Sequence, residues 1–546
     1  MTTDPIIETL PVNNVIYYLP ATEDDVIFLV NKAQQEKKVV CLRGAAHSRP
    51  LISMLEGEVD AGRLYLLLSK MMAVTFDDAL QQVTVQGGCH LGYDPSDPLA
   101  TAAGDEAKYQ STVENSLLYQ LDQHRPNPSN PLVGWALPDL GGIIHQTVGG
   151  FLSTGSSGSN LHESFNEQLV SLTIITGGAD GARRQVFSKN DPNYPDMTEN
   201  PFYAAGVALG LFGVIVSATF QCMDAFDISG FESTTTIADC PIDLFGDKPE
   251  LISLPDFFKT HRYKRMMWWP QEGVEKMVVW QAEPMAIKEG FRAVQYQEVP
   301  VLDIFGYKTP IPAEIAANLM MRGFSGLHDY IQSLKETHPI IYKILGELDE
   351  KELTPLLLNC FVPVNPVVDG KQVPPAFQDV WYSGIPMDNR ISDILIPVWF
   401  TELWFPIDQG PVVLSTLRKF FANNDSRVGS FSYEIYPAKA SEFWLSAAYH
   451  TDVFRIDMFW FGDNIGSPLT DFYPELWDEL YKNNLYFRPH WGKFLPAGDS
   501  REGASYLQAR YPNFDKWKAL REQMDPLQVF VSDYWRSHLD IKPLVA

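Results

Sequence analysis

Two runs of small residues, each set beside a predicted strand, constrain this chain more than any other part of it. The first is Arg43-Gly44-Ala45-Ala46-His47-Ser48, which follows the apolar run 39–42. The second begins at Leu137-Pro138-Asp139-Leu140-Gly141-Gly142 and continues through Gln146-Thr147-Val148-Gly149-Gly150 to Ser153-Thr154-Gly155-Ser156-Ser157-Gly158-Ser159. Loops without bulky side chains bring bare backbone N–H groups up to an anion. A surface Gly/Ser loop has the same composition, so the second run taken alone leaves both readings open. The first also ends in an imidazole, a nucleophile held beside whatever the loop cradles. Together the two runs suggest a flavin dinucleotide held by backbone amides and tethered through His47.

Bulk properties fit a multi-lobed soluble enzyme. At 546 residues the chain exceeds the roughly 250–300 residues at which single cores stop growing, so two or three lobes are expected. The formal net charge of −26 repels phosphate backbones and excludes nucleic acid as a partner. Five cysteines, Cys41, Cys89, Cys222, Cys240 and Cys360, are widely spaced and form no CxxC or Cys/His pairing, so neither a zinc site nor a disulfide scaffold is expected. No metal site is expected elsewhere. The start, Met1-Thr2-Thr3-Asp4-Pro5, shows no signal peptide, and no apolar run is long enough to span a membrane. A cytoplasmic enzyme is the default expectation, with no membrane insertion.

Periodicity places a capped amphipathic helix over 22–38 with Thr22 as its N-cap, then strands over 39–43, 63–68 and 82–86. A short helix is expected over 114–123, a strand-turn-strand unit over 169–187, a helix over 202–209 and a strand over 214–222. From about residue 223 the segments lengthen and grow richer in Trp. Runs 266–270, 278–281, 397–406 and 454–461 read as strands of a mostly antiparallel sheet, with helices over 337–349 and 410–423. A final helix is expected over 513–523. The expected fold is therefore α+β, with lobes over 1–223 and 224–483 and a C-terminal segment, 484–546, returning to the first lobe.

Neither G-x-x-x-x-G-K-[ST] nor a strand-bound G-x-G-x-x-G occurs, which argues against kinase-like and nicotinamide-Rossmann readings. The pair RGAAHS and LPDLGGIIHQTVGGFLSTGSSGS instead resembles the vanillyl-alcohol-oxidase superfamily of FAD enzymes. GLFGVIVSATFQC (210–222) resembles the closing strand of that superfamily's FAD domain, and RPHWGK (488–493) resembles a signature of its aldonolactone and alditol oxidase branch. Type II cholesterol oxidase is a more distant relative of the same fold. The resemblance covers about residues 15–225 and 484–540 and is weaker between them. It implies a PCMH-type FAD-binding domain and a substrate, or cap, domain on an antiparallel sheet with flanking helices.

The resemblance assigns roles residue by residue. Arg43, Gly44, Ala45, Ala46, His47 and Ser48 would bind the pyrophosphate, with His47 where relatives attach the flavin covalently. Doubly tethered relatives add a cysteine in the second loop. None lies between Cys89 and Cys222, so one tether at most is implied. Pro138, Gly141, Gly142, Thr147, Gly150, Ser153, Thr154, Gly155, Ser156, Gly158, Gly213 and Val214 would complete the cofactor site. A small residue at Gly141 goes with oxidases, although a tight turn would also require glycine. Relatives carry E-x-R on a strand facing the flavin; here Glu434 is retained but Tyr436 stands where arginine is expected. The implied loss is a fixed positive charge near the flavin. Asp457 and Phe459 occupy positions that bear polyol-binding groups in alditol oxidase, so the pocket is expected to be more apolar.

His490 and Lys493 are candidates for both catalysis and cofactor binding: His490, or else Glu434, would accept the hydroxyl proton, and Lys493 would stabilise developing negative charge. Glu402 is a weaker pocket candidate. The implied reaction is alcohol to carbonyl, with hydride passing to flavin N5 and oxygen returning hydrogen peroxide. The substrate would be a sugar, alditol or aldonolactone. Alternatives are a bulkier apolar substrate such as a sterol, covered by the long 295–395 insertion, a dehydrogenase using another acceptor, or a flavin carrier without catalysis.

Overall fold

The computed structural model describes residues 5–48, 60–100, 104–295, 302–304, 307–309, 311–348, 354–359, 361–389, 397–423, 432–462, 472–496 and 503–544. The helix expected at 22–38 is Glu23–Glu36, opened by a full capping box in which Thr22 accepts from the Asp25 N–H and Asp25 returns the bond. It buries Val26, Leu29, Val30 and Ala33 at helical spacing. This face packs on Val40, Leu64 and Leu66 from one sheet and Ile175, Val214 and Val216 from another. The first sheet has four strands in the order Glu8–Val12, Val15–Leu19, Arg63–Leu67, Val39–Arg43. The second has five antiparallel strands in the order Val74–Asp77, Gln82–Gln86, Val214–Gln221, Leu169–Thr176, Arg183–Ser188. Both small-residue loops leave this two-sheet lobe.

The second lobe is an eight-stranded sheet. Its order is Ala376–Val380, Asp227–Thr236, Lys276–Met285, Tyr263–Trp269, Tyr433–Ala438, Val453–Phe461, Val398–Pro406, Arg488–Pro489. Period-two alternation sorts its faces. Met266, Trp268, Ile435, Ile456, Met458 and Leu403 point into a core with helices Leu254–Thr260, Gly410–Asn423 and Tyr473–Lys482. The intervening positions, among them Met267, Glu434, Asp457 and Glu402, face the first lobe's loops across a cavity.

The fold is thus the α+β, antiparallel-sheet architecture expected. Several boundaries differ. The helix expected at 202–209 stops at Ala205, and the chain beyond it turns left-handed at Leu209 and Gly210, with φ of 57° and 73°. The helix expected from 114 begins at Leu117, after a turn closed by the Ser116 N–H on Val113 O. The helix at Phe514–Met524 is not final: Asp533–Leu539 follows it. The C-terminal segment touches both lobes. Arg488–Pro489 edges the eight-stranded sheet, whereas Val529 O accepts from the Val40 N–H and Met524 O from the Gly177 N–H. Within the 295–395 insertion, Ile311–Thr337 and Pro339–Leu348 are helical. Met1–Asp4, Cys360, Phe431 and parts of that insertion lie outside the described residues. Among the described residues no helix is long and apolar enough to cross a membrane.

Candidate active site

The two small-residue loops meet each other before they meet anything else. A Cβ on Gly44 would lie 2.6 Å from Thr147 Oγ1, so only glycine lets the first loop seat on the second. Thr147 caps helix Val148–Ser153 by accepting from the Gly150 N–H. Ala46 adopts a left-handed φ of 63°, which turns the first loop sharply. The loops form one wall of a cavity of about 330 Å³, whose opposite wall is the polar face of the eight-stranded sheet.

Of the residues expected at the site, Arg43, Ala45, Ala46, His47, Gly141, Gly142, Ser156, Glu434, Tyr436, His490 and Lys493 line this cavity. The others stand back from it. Ser153 and Thr154 donate to Gly149 O and Gly150 O within their helix, and Pro138 O accepts from the Tyr263 hydroxyl. Val214 is in the core under helix Glu23–Glu36, and Ser48 abuts Gly492. Gly155 abuts Val207, Gly213 abuts Ile175, and Gly158 abuts Asp139.

The sheet face is ordered in rows by strand register. Glu434 pairs with Asp457, which pairs with Glu402. In the next row Tyr436 pairs with Arg455, which pairs with Trp404. The positive charge expected to be missing is therefore present, supplied from neighbouring strands. Arg455 lies over the Tyr436 ring at 4.5 Å and donates to Glu402 Oε1 at 3.1 Å. Arg265, only 1% exposed, reaches Glu434 Oε1 at 3.3 Å and forms a second ion pair with Asp388.

Asp388 carries no motif, yet it closes this cluster. Its N–H donates to Gly142 O, and a Cβ on Gly142 would lie 2.2 Å from its Oδ2. The Tyr436 hydroxyl contacts both Glu434 Oε2 and, at 3.1 Å, Asp388 Oδ2. A hydroxyl has one proton to give, so it can donate to only one of these two carboxyls at a time. Burial and the Asp388 charge push the Glu434 carboxyl up to about 8, against the pull of Arg265 and Tyr436. Glu434 is thus the proton carrier near neutral pH.

Its counterpart across the sheet behaves oppositely. Burial pushes Glu402 up, but the charge of His490 where its ring is protonated, together with Arg455 and Lys493, holds it below the usual carboxylate range. Burial, reinforced by Glu402, drives Asp457 far upward. Burial depresses His490 to about 4, so its ring is neutral at pH 7. The Gly492 N–H donates to His490 Nδ1 at 3.0 Å, and Nε2 lies 3.1 Å from Ser156 Oγ. That network assigns the proton to Nε2 and leaves neither nitrogen with a spare lone pair. Lys493 Nζ sits 4.0 Å from the centre of the Phe400 ring.

Arg265, Arg455 and Asp388 were not singled out from the sequence. The arginines had a signal: each is a charge inside an apolar strand, at even spacing from Met267 or Asp457. Asp388 had none.

Residues 382–538 match the family model described as D-arabinono-1,4-lactone oxidase. The chain is 25% identical over 266 residues to a D-arabinono-1,4-lactone oxidase of Eremothecium gossypii, covering 48% of this chain and 40% of that protein. It is 27% identical over 257 residues to the L-gulonolactone oxidase of Mus musculus, covering 47% and 46%. These alignments span less than half the length of either relative. In fold it is similar to cholesterol oxidase from Brevibacterium sterolicum, with a TM-score of 0.64, 17% identity, and coverage of 96% of this chain and 94% of that one. It is also similar to the glucooligosaccharide oxidase of Acremonium strictum, whose structure is described as carrying a 6-S-cysteinyl, 8α-N1-histidyl FAD. That TM-score is 0.56, with 15% identity and coverage of 96% and 92%. The resemblance read from the loops and the HWGK segment is borne out by these matches, which extend the fold over nearly the whole chain.

Proposed function

We propose that the chain is an FAD-dependent oxidase that converts a CH–OH group of a sugar-derived alcohol or aldonolactone to a carbonyl and passes the electrons to oxygen as hydrogen peroxide. The observation that carries this reading is the single cavity in which the small-residue loops oppose a row of buried carboxyls with pKa values pushed apart. The residues present suit the cofactor. Ala45, Ala46, Gly141 and Gly142 leave backbone close to the cavity, Arg43 adds a positive charge, and His47 offers a ring nitrogen for one covalent link. When bound, the flavin would supply the acceptor for the carbon-bound hydrogen and its electron pair.

The chain's own residues then divide the remaining work. Glu402, kept ionised by Arg455, accepts the hydroxyl proton. Glu434, kept protonated by Asp388 and burial, presents a hydrogen-bond donor that orients the substrate oxygen. Arg455 and Lys493 supply fixed positive charge against the developing alkoxide. His490 holds Ser156 and the Gly492 turn in place; as a base it would first have to release Gly492.

The purified protein, precipitated in acid, tests the cofactor assignment. Yellow colour should remain with the precipitate and be lost from it in His47→Ala. Colour in the supernatant of the unaltered protein would remove the tether and keep the FAD site. A colourless protein that FAD cannot reconstitute would remove the flavin reading altogether.

A further inference from the structure

The third row of the same sheet face has a different chemistry from the first two. Past the row of Arg455 and the row of Asp457, the register reaches Phe459 opposite Phe400, and then Phe461 opposite Val398. On strand Tyr263–Trp269 alternation brings Trp269, two positions beyond Met267, to the same face, and Ser432, just before the intervening strand Tyr433–Ala438, also lines the cavity. Phe361 and Pro363 from the loop opposite complete this end of the cavity. Among the described residues the wall therefore passes from cationic, through acidic, to mainly aromatic and aliphatic within about three residue pairs, roughly 7 Å apart along each strand for alternate positions, with the Ser432 hydroxyl and the Lys493 ammonium as the polar groups of that end.

A free sugar or aldonolactone carries a hydroxyl on almost every carbon. At the polar rows those hydroxyls find Glu402, Glu434, Tyr436 and Arg455. At the far row they would find the Ser432 hydroxyl and the Lys493 ammonium but otherwise the rings and aliphatic carbon of Trp269, Phe361, Val398, Phe400 and Phe459, whose one polar group, the Trp269 indole N–H, can only donate, and buried hydroxyls without partners weaken binding. Resting on the oxidase reading, we infer that the substrate is amphiphilic: a polyol or lactone head with an alkyl or aryl substituent at the end remote from the reacting carbon. The head lies against the carboxyl row and the substituent fills the Trp269–Phe459–Phe400 end.

The test uses full-length holoenzyme under anaerobic conditions. Equilibrium binding is measured calorimetrically for unsubstituted alditols and 1,4-aldonolactones, and for the same heads carrying terminal O-alkyl chains of increasing length or an O-benzyl group. Burial of each methylene predicts that Kd tightens about threefold to fourfold per carbon until the apolar end is filled. Phe459→Ser and, independently, Phe361→Ala should flatten that increment; the second is a loop position and guards against a folding defect in the first. A Kd that is flat or weakens along the series overturns the inference. Peroxide release is then followed in air. Turnover of any head with a flat Kd series removes the amphiphilic substrate and leaves the oxidase reading intact. Tightening Kd without flavin reduction by any compound does the reverse.

Discussion

Replacing Glu402 by Gln should slow flavin reduction while leaving the colour and fold of the protein in place. Gln keeps an oxygen for Arg455, which now donates to Glu402 Oε1 at 3.1 Å, and fills the same volume. It removes the ionised carboxylate assigned to take the substrate proton. Loss of a positioned base costs about 10²–10⁴-fold in rate, or about 3–5 kcal/mol of barrier. The competing assignments make different pH profiles. A base that titrates at about 8, as Glu434 does, would be ionised in about one molecule in ten at pH 7, so the reduction rate would climb nearly tenfold between pH 6 and 7. Glu402 is already ionised across that range, so the rate should be flat from pH 6 to 7 and then fall by no more than about half by pH 8, as Glu434 loses its proton. The assay is stopped-flow reduction without oxygen, over pH 5–9, for the unaltered protein, Glu402→Gln, Glu434→Gln and His490→Gln. Glu434→Gln, which still donates a hydrogen bond, should lose less than Glu402→Gln. A Glu402→Gln rate within threefold of the parent, or a tenfold-per-unit rise up to pH 8, would refute the assignment.

Other perturbations test the frame around this chemistry. Asp139 is fully buried and burial raises it from 3.8 to about 7. The folded state then binds a proton that the unfolded chain has released, so stability falls as pH rises from about 4 to 7, by about 4 kcal/mol at most. Thermal unfolding should show that decline, and Asp139→Asn should flatten it; equal slopes in the two proteins would refute the claim. Gly142→Ala places a carbon 2.2 Å from Asp388 Oδ2, so it should destabilise by about 1–3 kcal/mol and slow reduction; unchanged melting would contradict the close approach. Arg265→Met leaves Asp388 and Glu434 facing each other without their shared cation. The expected loss is about 3–5 kcal/mol in denaturant unfolding; a loss below about 1 kcal/mol would argue that the buried ion pairs add nothing to stability.

How far the sequence carried is best seen residue by residue. The small-residue loops, the Thr22 cap and the antiparallel Trp-rich strands were legible because each depends on local chemistry: absent side chains, a hydroxyl at an N-terminus, a period of two. The placement of Glu434 and Tyr436 on one face followed from the same period. The compensating arginines did not, because a residue that acts across a sheet is specified by register, and register is a tertiary property. Tyr436 in the arginine position therefore looked like a lost charge, whereas Arg455 opposite it and Arg265 beside it restore one. His490 looked like a base because nothing in RPHWGK discloses that the Gly492 N–H occupies its free nitrogen. The helix start expected at 114 and the helix end expected at 209 lie about a turn inward, at 117 and 205, because a helix boundary depends on turn and tertiary contacts that local propensity does not disclose.

The central claim is that this cavity oxidises an alcohol through a bound flavin and oxygen. The most direct measurement mixes the yellow protein, free of oxygen, with D-arabinono-1,4-lactone or L-gulono-1,4-lactone and with their O-alkyl derivatives, and follows the flavin absorbance. The account predicts that at least one compound bleaches it within a turnover and that air restores it, with one hydrogen peroxide released per carbonyl formed. Absorbance that stays unchanged with every compound, in a protein shown to hold FAD, would contradict it.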